Sequence, residues 1–367
     1  MKVLYLDNVA SHYRKAIFLL MDQTFDVDYL FGASLGDIKH MDTSLLRGKV
    51  EETRTKHFRA GWYWQPGLLS KLFKGYDRYL MVCETRALST WVFCLLARLL
   101  GKSKKIYFWS HGWYGKETGL EKAIKKILFR LPGGGVFLYG NYARDLMMKE
   151  GFNPERLHVI HNSLDYDRQV VIRKVLGEQP IYKDHFGNDN PNLFFVGRLT
   201  EVKKLDLVLK AMAQLRKRGQ LFNMTFIGDG SEKEALESLT KELGLENNVW
   251  FYGACYDETL LSNMIYNADL CVAPGNIGLT AMHALAYGTP ALTHDDFPYQ
   301  MPEFEAIREG VTGTFFRRGS VDSLSEKISQ WFVEKKGKRK EVRKECMTEI
   351  DEQWTPQFQI EVLKNNL

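Results

Sequence analysis

The chain has little cysteine and no long apolar run, and each shortage excludes something. Cys83, Cys94, Cys255, Cys271 and Cys346 are an odd set of five in 367 residues, with no metal-type spacing. They argue against a disulfide framework and a zinc motif, and read as reduced thiols of a cytoplasmic protein. No apolar stretch approaches the ~20 residues needed to span a bilayer. A strand signal opens at once with Lys2-Val3-Leu4-Tyr5-Leu6, so no secretory leader is expected. There is no short-period repeat, no low-complexity segment and no stripe of arginine, lysine and aromatics of the kind that binds nucleic acid. What is present is ordinary for a soluble globular protein, with 45% hydrophobic and 26% charged residues. The net charge of +5 is a mild excess, compatible with anionic ligands or anionic lipid. The basic run from Lys335 to Lys344 reads as a solvated helix end.

A length of 367 residues suits two domains. Short apolar runs alternate with amphipathic segments. Strands are predicted at 3–7, 26–30, 78–82, 105–109, 135–139 and 157–160, with helices at 13–22, 88–100, 120–131 and 142–150. The polar stretch 166–192 breaks the pattern and is the expected linker. A second series follows, with strands at 193–196, 223–227, 249–252, 270–273 and 291–293 and helices at 205–218, 232–243, 259–267 and 279–287. Alternation of this kind predicts an α/β chain of two doubly wound, Rossmann-like domains with a cleft between them. The expected domains are 1–165 and 193–345, with 346–367 as a terminal helix returning to the first.

Two segments carry the chemistry. In Phe194-Phe195-Val196-Gly197-Arg198-Leu199-Thr200-Glu201-Val202-Lys203 an apolar strand empties into a turn bearing two cations. Arginine offers a planar fork that fits phosphate oxygens, and lysine adds a mobile point charge. Alone, the pair would read as solvated surface cations. Beside Pro274-Gly275-Asn276-Ile277-Gly278-Leu279-Thr280 it reads differently, because that glycine loop opens a helix. The first N–H groups of a helix lack internal partners and carry partial positive charge. Together these parts describe a diphosphate grip made without a metal. No Asp-x-Asp pair stands where a cation would serve, and Asp295-Asp296 reads as a loop cap. Gly228 and Asp229 after one strand, and Gly253 after the next, suit close approach of a ligand backbone to backbone, or equally ordinary turn chemistry.

In this order the motifs resemble the retaining glycosyltransferases of family 4, which have the two-domain GT-B fold. The likeness runs over nearly the whole chain and is strongest from Phe194 to Phe316. It implies that Gly197, Arg198, Lys203, Gly228, Asp229, Gly253, Asn276, Ile277, Gly278, Leu279 and Thr280 bind a nucleoside diphosphate sugar. It implies that Glu305 touches donor hydroxyls and that Ser110-His111-Gly112 brings His111 to face the donor sugar. Arg198, Lys203 and His111 are then the expected catalytic residues. Family members usually carry two glutamates separated by seven residues around the glycine loop. This chain has Gly275 and His283 at the matching positions. His283 is expected to face the ligand, as a weaker ribose contact or, when protonated, a phosphate contact. Nothing in the sequence compensates for Gly275.

The implied reaction is glycosyl transfer, with retention, from a nucleoside diphosphate sugar to a hydroxyl of a glycan or lipid-linked oligosaccharide. No metal and no cofactor are expected. His12 and Arg14 follow the first strand and are candidate acceptor ligands, with a capped helix start as the plainer reading. Trp62–Lys74 and Lys122–Arg130 mix bulky apolar residues with cations. They fit either an anionic membrane surface or a core with a basic edge. The first option implies a peripheral protein of the inner membrane face, making bacterial surface polysaccharide. Two other readings remain open: a non-catalytic GT-B protein that senses sugar nucleotides, and a GT-B sugar-nucleotide epimerase.

Overall fold

A computed structural model describes residues 1–32 and 39–367. The chain divides into two compact units. One comprises Met1–Tyr166 with Trp354–Leu367, the other Asp167–Gln353.

The first unit contains β1 (Lys2–Asp7), α1 (Lys15–Thr24), β2 (Asp26–Gly32), β3 (Val50–Thr53), the short pair β4 (Lys56–His57) and β5 (Tyr63–Trp64), and β6 (Arg78–Val82). It continues through α2 (Leu88–Leu99), β7 (Ile106–Ser110), α3 (Gly119–Phe129), β8 (Gly135–Leu138), α4 (Asn141–Lys149) and β9 (Leu157–Val159). Seven strands form one sheet in the order β3-β2-β1-β6-β7-β8-β9, every pair parallel. Helices cover both faces of such a sheet, so its central strands are apolar throughout. Ile106-Tyr107-Phe108-Trp109-Ser110 is buried at every position. Helix α3 starts in a capping box, Thr118 bonding the Glu121 amide while Glu121 reaches back to the Thr118 amide.

The second unit runs α5 (Tyr166–Arg173), α6 (Ile181–Phe186), β10 (Asn192–Val196), α7 (Asp206–Lys217), β11 (Asn223–Ile227), α8 (Lys233–Glu242), β12 (Val249–Gly253) and α9 (Glu258–Asn267). Then come β13 (Leu270–Val272), α10 (Leu279–Ala286), β14 (Ala291–His294), β15 (Gly313–Phe316), α11 (Val321–Glu334) and α12 (Arg339–Gln353). Its six strands are ordered β12-β11-β10-β13-β14-β15, again all parallel. In each sheet the winding direction reverses beside the first strand, between β1 and β6 and between β10 and β13. Ligands of doubly wound sheets collect at that reversal, outside the carboxyl ends of the strands.

Two boundaries differ from expectation. The stretch 166–192, expected as an irregular linker, carries the two short helices α5 and α6 with irregular chain between and after them. Tyr182 of α6 is buried and its hydroxyl donates to the Met264 carbonyl at 2.8 Å, which binds the segment to α9. The returning tail begins at Trp354, not at residue 346, because α12 packs on α10. Only α13 (Pro356–Asn366) belongs to the first unit, where Ile360 and Leu363 join the core formed with Ile17, Phe18 and Met21. Gln359, 1% exposed, fixes the tail by accepting from Ser163 Oγ at 2.7 Å and donating to the His161 carbonyl at 2.8 Å.

Candidate functional site

The reversal point of the second sheet brings together the two segments that the sequence separates by more than seventy residues. The turn after β10 meets the loop after β13. Lys203 Nζ donates to the Asn276 carbonyl at 2.7 Å and to Asn276 Oδ1 at 2.8 Å. The Gly275 amide donates back to the Lys203 carbonyl at 2.9 Å. Thr280, in the first turn of α10, donates its hydroxyl to the Val196 carbonyl at the end of β10 at 2.7 Å. Arg198 is exposed on the same turn. Its charge, with burial as the larger cause, holds the Lys203 ammonium down to about 8, while Glu303 works in the opposite direction. A cation kept close to neutrality by desolvation gains from an incoming anion.

Glycine is required here by backbone contact. A Cβ on Gly228 would lie 1.8 Å from the Gly197 carbonyl oxygen, so the turns after β10 and β11 touch main chain to main chain. Gly275 is as constrained. A Cβ there would lie 2.1 Å from the Val202 carbonyl oxygen and 2.7 Å from Lys203 Cα. The place of the usual family glutamate is therefore closed by the lysine turn itself. What the sequence shows as a loss is, in space, the contact that seats Lys203 on the loop.

Three residues of this site were not found by sequence reasoning. Gln300, 3% exposed, accepts from the Ile277 amide at 2.9 Å and donates to Thr293 Oγ1 at 2.8 Å and the His294 carbonyl at 3.1 Å. It ties the glycine loop to β14. Glu303, 2% exposed, is the carboxylate whose charge acts on Lys203. Thr293 completes the brace, its hydroxyl donating to the Ala273 carbonyl at 2.8 Å. No local signal separates Gln300 from other polar loop residues, although it lies between Asp295-Asp296 and Glu305, which the sequence does single out.

The other expected donor residues fall as follows. Gly278 has φ 54 and ψ −145, and no side chain caps α10, so Leu279 and Thr280 open the helix with unblocked amides. Ile277 is buried behind the loop. Asp229 is exposed after β11 and accepts from the Gly230 amide at 2.8 Å. Gly253 ends β12 with φ 88. Glu305 is half-buried in the same short turn as Glu303. His283 stands apart from the expectation of a protonated phosphate contact. Its Nδ1 lies 3.9 Å from Glu258 Oε1, and burial pushes its pKa down against the opposing pull of Glu258. The imidazole is neutral at neutral pH.

In the first unit, His111 follows β7 and packs against Tyr139, ring centroids 4.7 Å apart. Burial, with the charges of Arg14 and Lys125 adding to it, pushes its pKa to about 4. His111 thus offers a neutral hydrogen-bonding group, not a cation. His12 is exposed. Arg14 corrects the expectation of an acceptor ligand: it is 5% exposed, donates to Asp7 Oδ2 at 2.8 Å and lies 4.4 Å from the Trp109 ring. Its guanidinium belongs to the core. Likewise Tyr63, Gln65, Leu68, Lys71 and Leu72 of Trp62–Lys74 pack inward. Leu68 and Leu72 are fully buried, and Lys71 pairs with Glu51 at 2.5 Å.

Residues 181–346 match the family description "Glycosyl transferases group 1". A D-inositol 3-phosphate glycosyltransferase of Nocardia farcinica is 30% identical over 191 residues, 48% of this chain and 39% of that one. The chain matches less than half the length of its curated relatives. Among solved structures, Anabaena Alr3699/HepE in complex with UDP aligns with a TM-score of 0.73 at 16% identity, covering 100% of this chain and 99% of that one. The lipopolysaccharide outer core galactosyltransferase WaaB in its apo form aligns at 0.72 and 16%, covering 100% and 99%. The second unit therefore matches, through residues 181–346, the glycosyl transferases group 1 family model, on a chain with the GT-B fold.

Proposed function

We propose that the protein transfers a glycosyl group, with retention, from a nucleoside diphosphate sugar to a hydroxyl of a glycan or lipid-linked acceptor in bacterial surface polysaccharide synthesis. The observation that carries this reading is the seating of Lys203 on Asn276 at the uncapped start of α10. As the glycosidic bond breaks, charge grows on the leaving diphosphate. Preorganised donors stabilise that charge most effectively in a water-poor site. Lys203, Arg198 and the amides of Gly278–Thr280 supply such donors, which makes a metal unnecessary for charge neutralisation. The Anabaena neighbour binds UDP, and uridine diphosphate sugars are the first donors to try.

For the acceptor side, His111 contributes a neutral imidazole and His12 an exposed one. Membrane contact is supported by the exposed end of Trp62–Lys74 together with the end of α2. Phe73 is 71% exposed and Leu99 83%, and Lys102 Nζ lies 5.5 Å from the centroid of the Phe73 ring. Bulky apolar tips ringed by cations suit an anionic bilayer surface. Among the described residues no helix is long and apolar enough to cross a membrane.

Incubation with a panel of nucleoside diphosphate sugars, reading release of the nucleoside diphosphate, tests the reaction. Turnover that falls at least ~100-fold in Lys203→Ala supports it, since removing one transition-state donor costs about that much. Absence of turnover with every donor, or unaltered rates in the variant, would favour the sensor reading.

A further inference from the structure

The carboxyl ends of β6 and β7 carry two adjoining cavities lined only by residues of the first unit. One, of about 310 Å³, lies among Trp62, Arg86, Tyr114, Lys116, Glu121 and Ile124. The other, of about 300 Å³, shares Thr85, Arg86, Tyr114 and Lys125 with it and reaches Ser110 and His111. Each is near the lower size of small-ligand pockets, ~300 Å³, enough for one sugar ring. The groove extends from Trp62 to His111.

Its construction is specific. Ala60 (φ 57) and Gly61 (φ 75) both hold left-handed backbone immediately before Trp62. Ala60 is strained there, and such strain persists only where surrounding structure fixes it. Gly61 has to be glycine for a second reason: a Cβ would lie 2.9 Å from Arg86 Nη1. The Tyr63 amide donates to the Arg86 carbonyl at 3.0 Å, binding this turn to the loop after β6. Trp62 and Arg86 are thus presented side by side.

The acidic groups around the groove all have partners. Glu117 pairs with Lys125 at 2.7 Å and accepts from the amides of Tyr114 and Gly115. Glu121 belongs to the capping box of α3. Glu84 accepts from Asn8 Nδ2 at 2.7 Å and the Tyr63 hydroxyl at 3.0 Å. Arg86 makes no side-chain hydrogen bond or ion pair among the described residues. A planar guanidinium beside an indole face matches a ring with an apolar side and an anionic substituent.

We propose that this groove is the acceptor subsite and that it takes a pyranose bearing a carboxylate or phosphate, with its C–H face on Trp62 and its anion on Arg86. The proposal rests on the transferase reading and names the substrate class for it. Saturation-transfer NMR on the full chain, with D-glucuronate, D-glucose 6-phosphate and D-glucose as probes, tests it. At least one anionic sugar should bind more tightly than glucose, and which one binds identifies carboxylate or phosphate. Arg86→Ala should weaken that binding ~10-fold or more, the worth of a charge-assisted hydrogen bond. Arg86→Lys should retain part of it, and Trp62→Ala should weaken all three sugars. Equal binding of glucose and the anionic sugars, no binding of any, or an Arg86→Ala variant that binds like wild type would overturn it. Calorimetric titration with UDP separates the two levels. UDP binding kept alongside failed sugar binding removes only the groove, whereas loss of UDP binding in the wild type strikes the transferase reading.

Discussion

Replacing Gly275 with alanine asks whether the lysine turn really rests on the glycine loop. The new methyl would lie 2.1 Å from the Val202 carbonyl oxygen. Ordinary contact starts near ~3.5 Å, so the two segments must part by ~1.4 Å. Overpacking of this kind costs ~1–3 kcal/mol. Losing the bond from the Gly275 amide to the Lys203 carbonyl adds ~1 kcal/mol. The expected destabilisation is ~2–4 kcal/mol, or ~5–15 °C in the melting of a unit this size. Lys203 moves with the turn, so UDP affinity should fall ~10–100-fold, the worth of one charge-assisted contact. Gly275→Glu, which restores the usual family residue, carries the same Cβ and should be no better. Scanning calorimetry and isothermal titration read both effects. A variant that melts within ~1 °C of wild type and binds UDP equally would refute the packing argument.

Two further outcomes follow from the charges. Lys203, with its pKa near 8, is protonated below that pH and neutral above it. The anion binds the protonated form, so UDP affinity should be flat at lower pH and decline above about 8, approaching ~10-fold per unit. Lys203→Arg, whose side chain keeps its proton, should abolish the decline. Calorimetric titration from pH 6 to 10 reads this, and an unchanged slope in the variant would count against it. In the first unit, Arg14→Met leaves Asp7 buried without its cation. Breaking a buried pair in this way costs ~3–5 kcal/mol. Asp7 is already pushed upward by burial, and it rises further without Arg14. A carboxyl raised in the folded state stabilises below its unfolded pKa and loses that contribution as pH rises through the folded value. The variant should therefore melt closest to wild type at acid pH and diverge toward neutrality, whereas a pH-independent deficit would contradict the pairing.

The strands were legible because burial on both faces leaves nearly unbroken apolar runs. Phe194-Phe195-Val196 and Tyr79-Leu80-Met81 mark the two sheets directly. Strand β3 was not, because an edge strand has one neighbour and this one reads Val50-Glu51-Glu52-Thr53. Helices α5 and α6 are short and polar, and α6 is held by the single buried ring of Tyr182. The pairing of Lys203 with the glycine loop was expected from motif order. The meaning of Gly275 was not, since the carbonyl that fills its place lies seventy-three residues earlier in the chain. Arg14 was misread for the same reason. Asp7 is close in sequence, but the Trp109 face that covers the guanidinium is reached only by folding.

Titration of the purified chain with UDP, in wild type and in Arg198→Ala and Lys203→Ala, measures the clamp without any assumption about acceptor or sugar. Saturable binding in the wild type, weakened ~10-fold or more in each variant, is the expected result. Equal affinity in all three proteins would contradict it.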